Sequence, residues 1–244
     1  MKIFKSKKVE KIYKKIIKYL LHSKSIDNNT KEIENCILEI KNPSIKNISF
    51  YNRNISEKYS FGELEWYWKA HNSCKEIGKF AKMWLSLSDD GITNNSAYGY
   101  ILFKKYNFNQ LEQIIELLKN DNSSRRAVLN ISDPTINRIT TKDMQCTIAI
   151  QFLIRKNKLN MTVYMRSNDV YFGFPYDYIF FETIHQYISE KLNVNVGKYT
   201  HIVTSLHMYN RDINHFLQQK ENKISIDMKK IKEFYENGDK LWKK

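Results

Sequence analysis

Residues 144–177 read MQCTIAIQFLIRKNKLNMTVYMRSNDVYFGFPYD, and the fold turns on how they pair. From Thr147 to Ile154 the side chains are nearly all apolar, the pattern of a strand covered on both faces. From Leu159 to Arg166 they alternate, with Leu159, Met161, Val163 and Met165 on one face and Asn160, Thr162, Tyr164 and Arg166 on the other. The polar run Arg155 to Lys158 between them can turn tightly, because Asn tolerates the positive φ that such turns need. With Lys156 and Asn157 as the loop residues, Arg155 faces Lys158, and counting outward sets Cys146 opposite Ser167. Cβ atoms of directly paired residues stand about 4.5–5.5 Å apart. The hairpin is therefore expected to gather the Cys146 thiol, the Ser167 hydroxyl and the Arg166 guanidinium. A lone cysteine is more often a small buried hydrophobe than a nucleophile, but a neighbouring cation able to lower the thiol pKa favours the catalytic reading.

Working outward, Lys8 to Leu21 places Val9, Ile12, Tyr13, Ile16, Ile17 and Leu20 at helical spacing, with lysines opposite. Strands are expected at Asn35 to Ile40 and Asn47 to Tyr51, and helices at Phe61 to Ala70, Cys74 to Leu87 and Asn109 to Lys119. Asp89-Asp90-Gly91 breaks the chain, and the polar loop Thr93 to Ser96 and Tyr98-Gly99-Tyr100 follow. Asp177 to Leu192 reads as a largely buried helix, Val194 to Tyr209 as one or two strands, and Arg211 to Lys220 and Ile226 to Tyr235 as helices. Neither repeat nor linker is evident, so residues 1–244 are read as one α/β (α+β) domain.

The formal charge of 40 Lys+Arg against 26 Asp+Glu is +14. The lysines are spread over helix surfaces, so the excess is assigned to the attraction of polyanionic small molecules rather than to nucleic acid. No apolar run approaches the roughly 20 residues of a membrane span, and the Lys-rich start has no signal-peptide core. Cys36, Cys74 and Cys146 have neither disulfide nor metal-ligand spacing, and the six histidines are scattered. A reducing cytoplasm and no bound metal are the expectation.

Arg166-Ser167-x-Asp169, Gly173-x-Pro175, His207-x-Tyr209, Ser124-Arg125-Arg126 and Glu63-Leu64-x-Trp66, arranged around Cys146, together resemble the thymidylate synthase superfamily, closest to its phage-type deoxycytidylate hydroxymethylases. The resemblance runs from Glu63 to Arg211. It implies a single catalytic domain with a mixed β-sheet packed with helices, dimerising through the sheet, and 5,10-methylenetetrahydrofolate as co-substrate. It implies that Cys146 adds to pyrimidine C6, making C5 nucleophilic. By the same resemblance Arg166, Ser167 and Arg53 bind the nucleotide phosphate, with Arg125 and Arg126 supplied by the neighbouring subunit. His207 and Tyr209 match contacts to the sugar, and Glu63 and Tyr98 the groups that move protons around C4 and C5. Trp84, Asp169 and Gly173 match the folate site.

Two departures bear on the reaction. Methyl-transferring synthases carry Asn where this chain has Asp177. An amide can accept from uracil N3–H and donate to O4, whereas an ionised carboxylate only accepts and suits the amino group of cytosine. Synthases also close the site with a short apolar C-terminus, whereas this chain ends in the charged run Asp239 to Lys244, which favours addition of water and a hydroxymethyl product. Thr147 stands where synthases often have His. The expectation is conversion of dCMP to 5-hydroxymethyl-dCMP. The rival readings are a thymidylate synthase or a dUMP or CMP hydroxymethylase of the same fold, or a silent nucleotide-binding or replication-associated protein.

Overall fold

The computed structural model describes residues 1–27 and 29–238. In chain order its elements are β1 (Lys2–Ser6), α1 (Val9–His22), β2 (Thr30–Ile40), β3 (Ile48–Ser49), α2 (Glu57–Trp68), α3 (Cys74–Gly78), α4 (Met83–Leu87), α5 (Tyr98–Phe103), α6 (Gln110–Asn120), β4 (Val128–Asn130), β5 (Thr147–Arg155), β6 (Lys158–Asp169), α7 (Gly173–Lys191), β7 (Asn195–Tyr209), α8 (Ile213–Gln218), β8 (Lys223–Ile224) and α9 (Met228–Glu236). The charged run from 239 to 244, on which the water-access argument rested, lies outside the described residues.

The turn of the β5–β6 hairpin forms as its sequence demands. Arg155 pairs with Lys158, and Lys156 and Asn157 both adopt positive φ, 51° and 54°. The register then departs from simple counting, because the ladder holds from Arg155 to Ala149 and slips by one residue before Thr147 pairs with Met165. Ile148 is the extra residue. Its carbonyl leaves the hairpin and accepts from the amides of Ile131 and Ser132, each at 3.0 Å. Such a bulge sets two residues against one. Cys146 consequently faces Arg166, whose amide donates to the Cys146 carbonyl at 2.9 Å, and not Ser167.

Six strands form one mixed sheet in the order β1-β2-β7-β6-β5-β4, and β3 pairs with β8 apart from it. β1–β2 and β6–β7 are parallel, and the other neighbours are antiparallel. The stretch expected as one or two strands proves to be a single long one, β7 (Asn195–Tyr209), held by β2 on one side and β6 on the other. One face of the sheet carries Ile150, Phe152, Met161, Val163 and Tyr199, all fully buried in a core shared with Ile12 and Ile16 of α1 and Phe181 and Ile184 of α7. On the other face Ala149, Gln151, Leu153, Thr162, Tyr164 and Ile202 are only half-buried. The expectation that Thr147 to Ile154 is covered on both faces is therefore not met within one chain.

Two local differences have steric causes. The helix expected over Cys74 to Leu87 is broken into α3 and α4, which fold against each other at Gly78, where a Cβ would come within 2.8 Å of the Leu85 side chain. Tyr98-Gly99-Tyr100 opens helix α5 instead of extending a loop. Gly99 is required there, since a Cβ would fall 1.6 Å from the Tyr67 carbonyl oxygen at the end of α2. This close approach sets Tyr98 beside the helix that carries Glu63. Among the described residues no helix is long and apolar enough to cross a membrane.

Candidate active site

Cys146, Arg166, Ser167, Asp169, Gly173, Asp177, His207 and Tyr209 lie at one end of the sheet, where β5 begins, β6 and β7 end and α7 starts. The Arg166 side chain leaves β6 and runs along the strand of the thiol. Its Nε donates to the Gln145 carbonyl at 2.9 Å and its Nη2 to the Met144 carbonyl at 2.8 Å, which holds Nη2 3.6 Å from Cys146 Sγ. The Cys146 thiol is nevertheless pushed up to about 11. Burial is the main cause and outweighs the Arg166 cation, with the charges of Asp177, Asp143 and Asp169 adding to it. The cation expected beside the thiol is in place, but it does not leave the thiol acidic.

Asp177 sits one turn into α7. Asn168 Nδ2 donates to its Oδ2 at 2.7 Å. Partial enclosure raises the Asp177 carboxyl to about 7, opposed by the Asn168 hydrogen bond and helped by the charge of Asp169. The charge of Asp177 in turn acts on Cys146, Glu63 and Tyr98, as it does on the buried phenols of Tyr67 and Tyr199.

Glu63 is buried on α2, and burial lifts its carboxyl to about 8. The Tyr59 hydroxyl donates to Glu63 Oε1 at 2.6 Å, and the same hydroxyl accepts from Trp84 Nε1 at 3.0 Å. Sequence reasoning missed Tyr59, although its spacing of four from Glu63 puts both on one side of a helix. Tyr98 stacks on Tyr67 at 5.4 Å between ring centres, and its hydroxyl accepts from the Thr147 amide at 3.4 Å. Burial holds that phenol well above its usual range.

Across the β6–β7 pair, Ser167 Oγ lies 3.3 Å from His207 Nδ1, and the His207 ring packs edge-on to Tyr209, with the Arg211 guanidinium 4.5 Å from that tyrosine's ring centre. Asp169 closes the turn into α7 by accepting from the amides of Tyr171 and Phe172 at 2.8 and 3.3 Å. Gly173 lies against the Asn168 and Asp177 pair. A Cβ there would stand 2.9 Å from Asn168 Nδ2 and 3.4 Å from Asp177 Oδ2. Arg53 is buried, with its guanidinium 3.7 Å from the centre of the Tyr171 ring and Nη1 donating to Gln219 Oε1 at 2.9 Å.

Arg125 and Arg126 stand apart from this group. Both are exposed, and the Ala127 carbonyl accepts from Phe152, six residues along β5 from Cys146 and hence about 20 Å away at strand rise. Within one chain the structure does not bring them to the thiol.

Four buried polar atoms in this region have no protein partner: Arg53 Nε, Gln145 Oε1, Thr147 Oγ1 and Asn168 Oδ1. Each such atom costs roughly 1–3 kcal/mol, a deficit that a polar ligand would relieve. Arg53 Nε is a donor, Gln145 Oε1 and Asn168 Oδ1 are acceptors and the Thr147 hydroxyl is both, a set suited to a ligand that carries donors as well as acceptors. Among the described residues no group of three or more His, Cys, Asp or Glu could hold a metal ion.

The model of the family described as "Thymidylate synthase" matches residues 10–236. The chain belongs to the thymidylate synthase family. That family consists of one-carbon transferases that use methylenetetrahydrofolate. Among relatives, the chain is 31% identical over 214 residues to the deoxyuridylate hydroxymethyltransferase of Bacillus phage SP01, covering 82% of this chain but only 54% of that protein. It is 32% identical over 190 residues to the deoxycytidylate 5-hydroxymethyltransferase of Enterobacteria phage T4, covering 70% of this chain and 76% of that one. The thermostable thymidylate synthase A from Bacillus subtilis has the same fold, with a TM-score of 0.73 at 20% identity over 93% of this chain and 91% of its own. The two phage enzymes are named for different bases and stand at nearly equal identity, so the choice of base rests on the residues of the site.

Proposed function

We propose that this thymidylate synthase family member hydroxymethylates dCMP at C5, using 5,10-methylenetetrahydrofolate and water. The observation that carries this reading is Asp177, a carboxylate held by Asn168 Nδ2 at 2.7 Å at the start of α7, the end of the sheet where Arg166 stands 3.6 Å from Cys146 Sγ. A pyrimidine whose C6 lies over the Cys146 sulfur would turn its position-4 edge toward such a group. An ionised Asp177 presents only acceptors, matching the cytosine amino group and a protonated N3. With its carboxyl raised to about 7, Asp177 is also suited to pass a proton to N3 as the sulfur adds.

In the proposed sequence the thiol gives up its proton and Cys146 Sγ bonds to C6, while the C5–C6 π pair shifts toward C4 and N3 takes a proton. C5 then attacks the one-carbon unit supplied by the folate and loses its own proton to the Tyr98 and Glu63 side of the site. The carbon–nitrogen bond to the folate breaks, so that tetrahydrofolate departs and leaves an exocyclic methylene at C5; water adds to that carbon and gives up a proton, and Sγ leaves C6 as N3 returns its proton. The sum is dCMP, methylenetetrahydrofolate and water going to 5-hydroxymethyl-dCMP and tetrahydrofolate, with no net oxidation. The raised carboxyl of Glu63, held by Tyr59, supports a group that both gives and takes protons near pH 8.

Arg166, Ser167 and Arg53 are the proposed phosphate ligands, and the unpartnered Nε of Arg53 supports this. His207 and Tyr209 are proposed for the sugar, and Trp84, Asp169 and Gly173 for the folate. The exposure of Arg125 and Arg126, and the half-buried apolar residues on the open face of the sheet, support a twofold dimer in which these arginines serve the partner's site. Mixing Cys146→Ala with Arg126→Ala subunits tests this, since every heterodimer carries one intact site, heterodimers are about half of a random equal mixture, and activity should return.

A second reading is hydroxymethylation of dUMP. It is favoured by the SP01 relative and by the chemistry of a protonated Asp177, which could pair with uracil as an amide does. Product analysis decides between the two. Purified protein with dCMP, dUMP and the folate should yield a nucleotide heavier than dCMP by one CH2O unit, together with tetrahydrofolate. Predominant consumption of dUMP, or formation of dihydrofolate, would overturn the proposal.

A further inference from the structure

The carboxylate at 177 does not stand alone. Asn168, 2% exposed at the end of β6, donates through Nδ2 to Asp177 Oδ2 at 2.7 Å, while its own Oδ1 is buried with no partner. Gly173 makes room for the pair, since any Cβ there would stand 2.9 Å from Asn168 Nδ2. The amide orientation follows from the chemistry. An Asp177 oxygen holding no proton can only accept, so the NH2 end of Asn168 faces it and the carbonyl end is left over.

We propose that Asn168 is a second base-specifying residue, which holds Asp177 Oδ2 as an acceptor and presents its own Oδ1 as a further acceptor for the exocyclic amino group of cytosine. The inference rests on the dCMP reading above and deepens it. A carboxyl group that gains a proton becomes a donor at one oxygen, and a donor at the position-4 edge would welcome uracil O4. With Asn168 donating to Oδ2, that oxygen stays an acceptor and the proton goes to Oδ1. Asp177 is thereby kept from imitating an amide in the sense that uracil requires. An amino group brings two hydrogens, enough for Asp177 Oδ2 and Asn168 Oδ1 together. Uracil O4 would instead meet two acceptors and leave the Asn168 oxygen unpaired.

The test gives dCMP and dUMP together to the full-length protein and to its Asn168→Ala and Asn168→Ser variants, from about pH 6 to pH 8.5. Because both nucleotides compete for the same enzyme, the ratio of their kcat/KM values is independent of how much of a variant is folded. The dCMP preference is expected to drop at least about tenfold in both variants, near the lower end of what one mismatched buried polar contact costs. The drop should be largest at the acid end, where Asp177 carries its proton. A variant too slow to assay is read by competitive nucleotide binding, with the same ratio expected. If the wild type prefers dCMP and the variants keep that preference, Asn168 is not a specificity residue and the dCMP reading survives. If the wild type itself prefers dUMP, that reading fails and this inference falls with it.

Discussion

Arg166 Nη2 stands 3.6 Å from Cys146 Sγ because one additional residue on β5, Ile148, slips the hairpin by a single position. Without the slip, Ser167 would face the cysteine. The guanidinium is fixed by the Met144 and Gln145 carbonyls, so its charge acts on the sulfur from a defined direction, even though burial dominates the thiol's acidity.

Thiol reactivity tests this pairing. In nucleotide-free protein the pH-rate profile of Cys146 alkylation should rise toward an inflection near 11. Arg166→Lys, which loses the fork that aims the charge, should move the inflection higher and slow alkylation at pH 8 several-fold. An unchanged profile would separate Arg166 from the thiol.

Tyr59→Phe removes the hydroxyl that donates to Glu63 at 2.6 Å. That hydrogen bond favours the ionised carboxylate, so its loss should raise the Glu63 carboxyl above about 8. The inflection assigned to Glu63 in the pH dependence of kcat should move upward by about 0.5–1 unit, in line with a net hydrogen-bond energy of ~1 kcal/mol. Trp84→Phe, acting one step further away, should shift it less. Identical profiles for wild type and Tyr59→Phe would remove Tyr59 from the proton path.

Much of this arrangement is legible in the sequence, and the exceptions are physical in kind. The turn at Lys156 and Asn157 is readable because positive φ restricts which residues can occupy it. Helices α1 and α6 are readable because each buries one apolar stripe. The bulge at Ile148 is not, since it depends on two amides, Ile131 and Ser132, from a segment well upstream. Likewise Gly99 reads as a breaker until the Tyr67 carbonyl is seen pressing against it. Asn168 was visible within Arg166-Ser167-x-Asp169, yet its hydrogen bond to Asp177 depends on how α7 folds back on β6. Arg125 and Arg126 read as phosphate ligands by resemblance alone, and one chain leaves them near the opposite end of β5.

Stability should vary with pH in a direction set by Asp177 and Glu63. Their folded carboxyls lie near 7 and 8, above their ordinary values, so the native state binds more protons than the unfolded chain between about pH 4 and pH 8. Their contribution is present in full at low pH and is lost as pH rises through the folded values. Glu63→Gln with Asp177→Asn should flatten this loss, which reaches at most about 1.4 kcal/mol per group per pH unit. Urea unfolding of nucleotide-free protein at several pH values measures it, and equal slopes for wild type and variant would contradict the raised carboxyls.

Gly99→Ala should be among the most damaging single-methyl additions. A Cβ 1.6 Å from the Tyr67 carbonyl forces α5 away from α2 and carries Tyr98 with it. Overpacking of this kind costs typically 1–3 kcal/mol or more. Urea midpoints measure the loss, and a neutral result would mean that the two helices can separate freely.

The base read by Asp177 is tested most directly by competition between dCMP and dUMP for wild type and for Asp177→Asn. An amide in place of the carboxylate accepts from N3–H and donates to O4, so the wild type should favour dCMP and the variant should shift toward dUMP by about tenfold or more. The same preference in both proteins would contradict the assignment of Asp177 and, with it, the reading of this enzyme as a cytosine nucleotide hydroxymethylase.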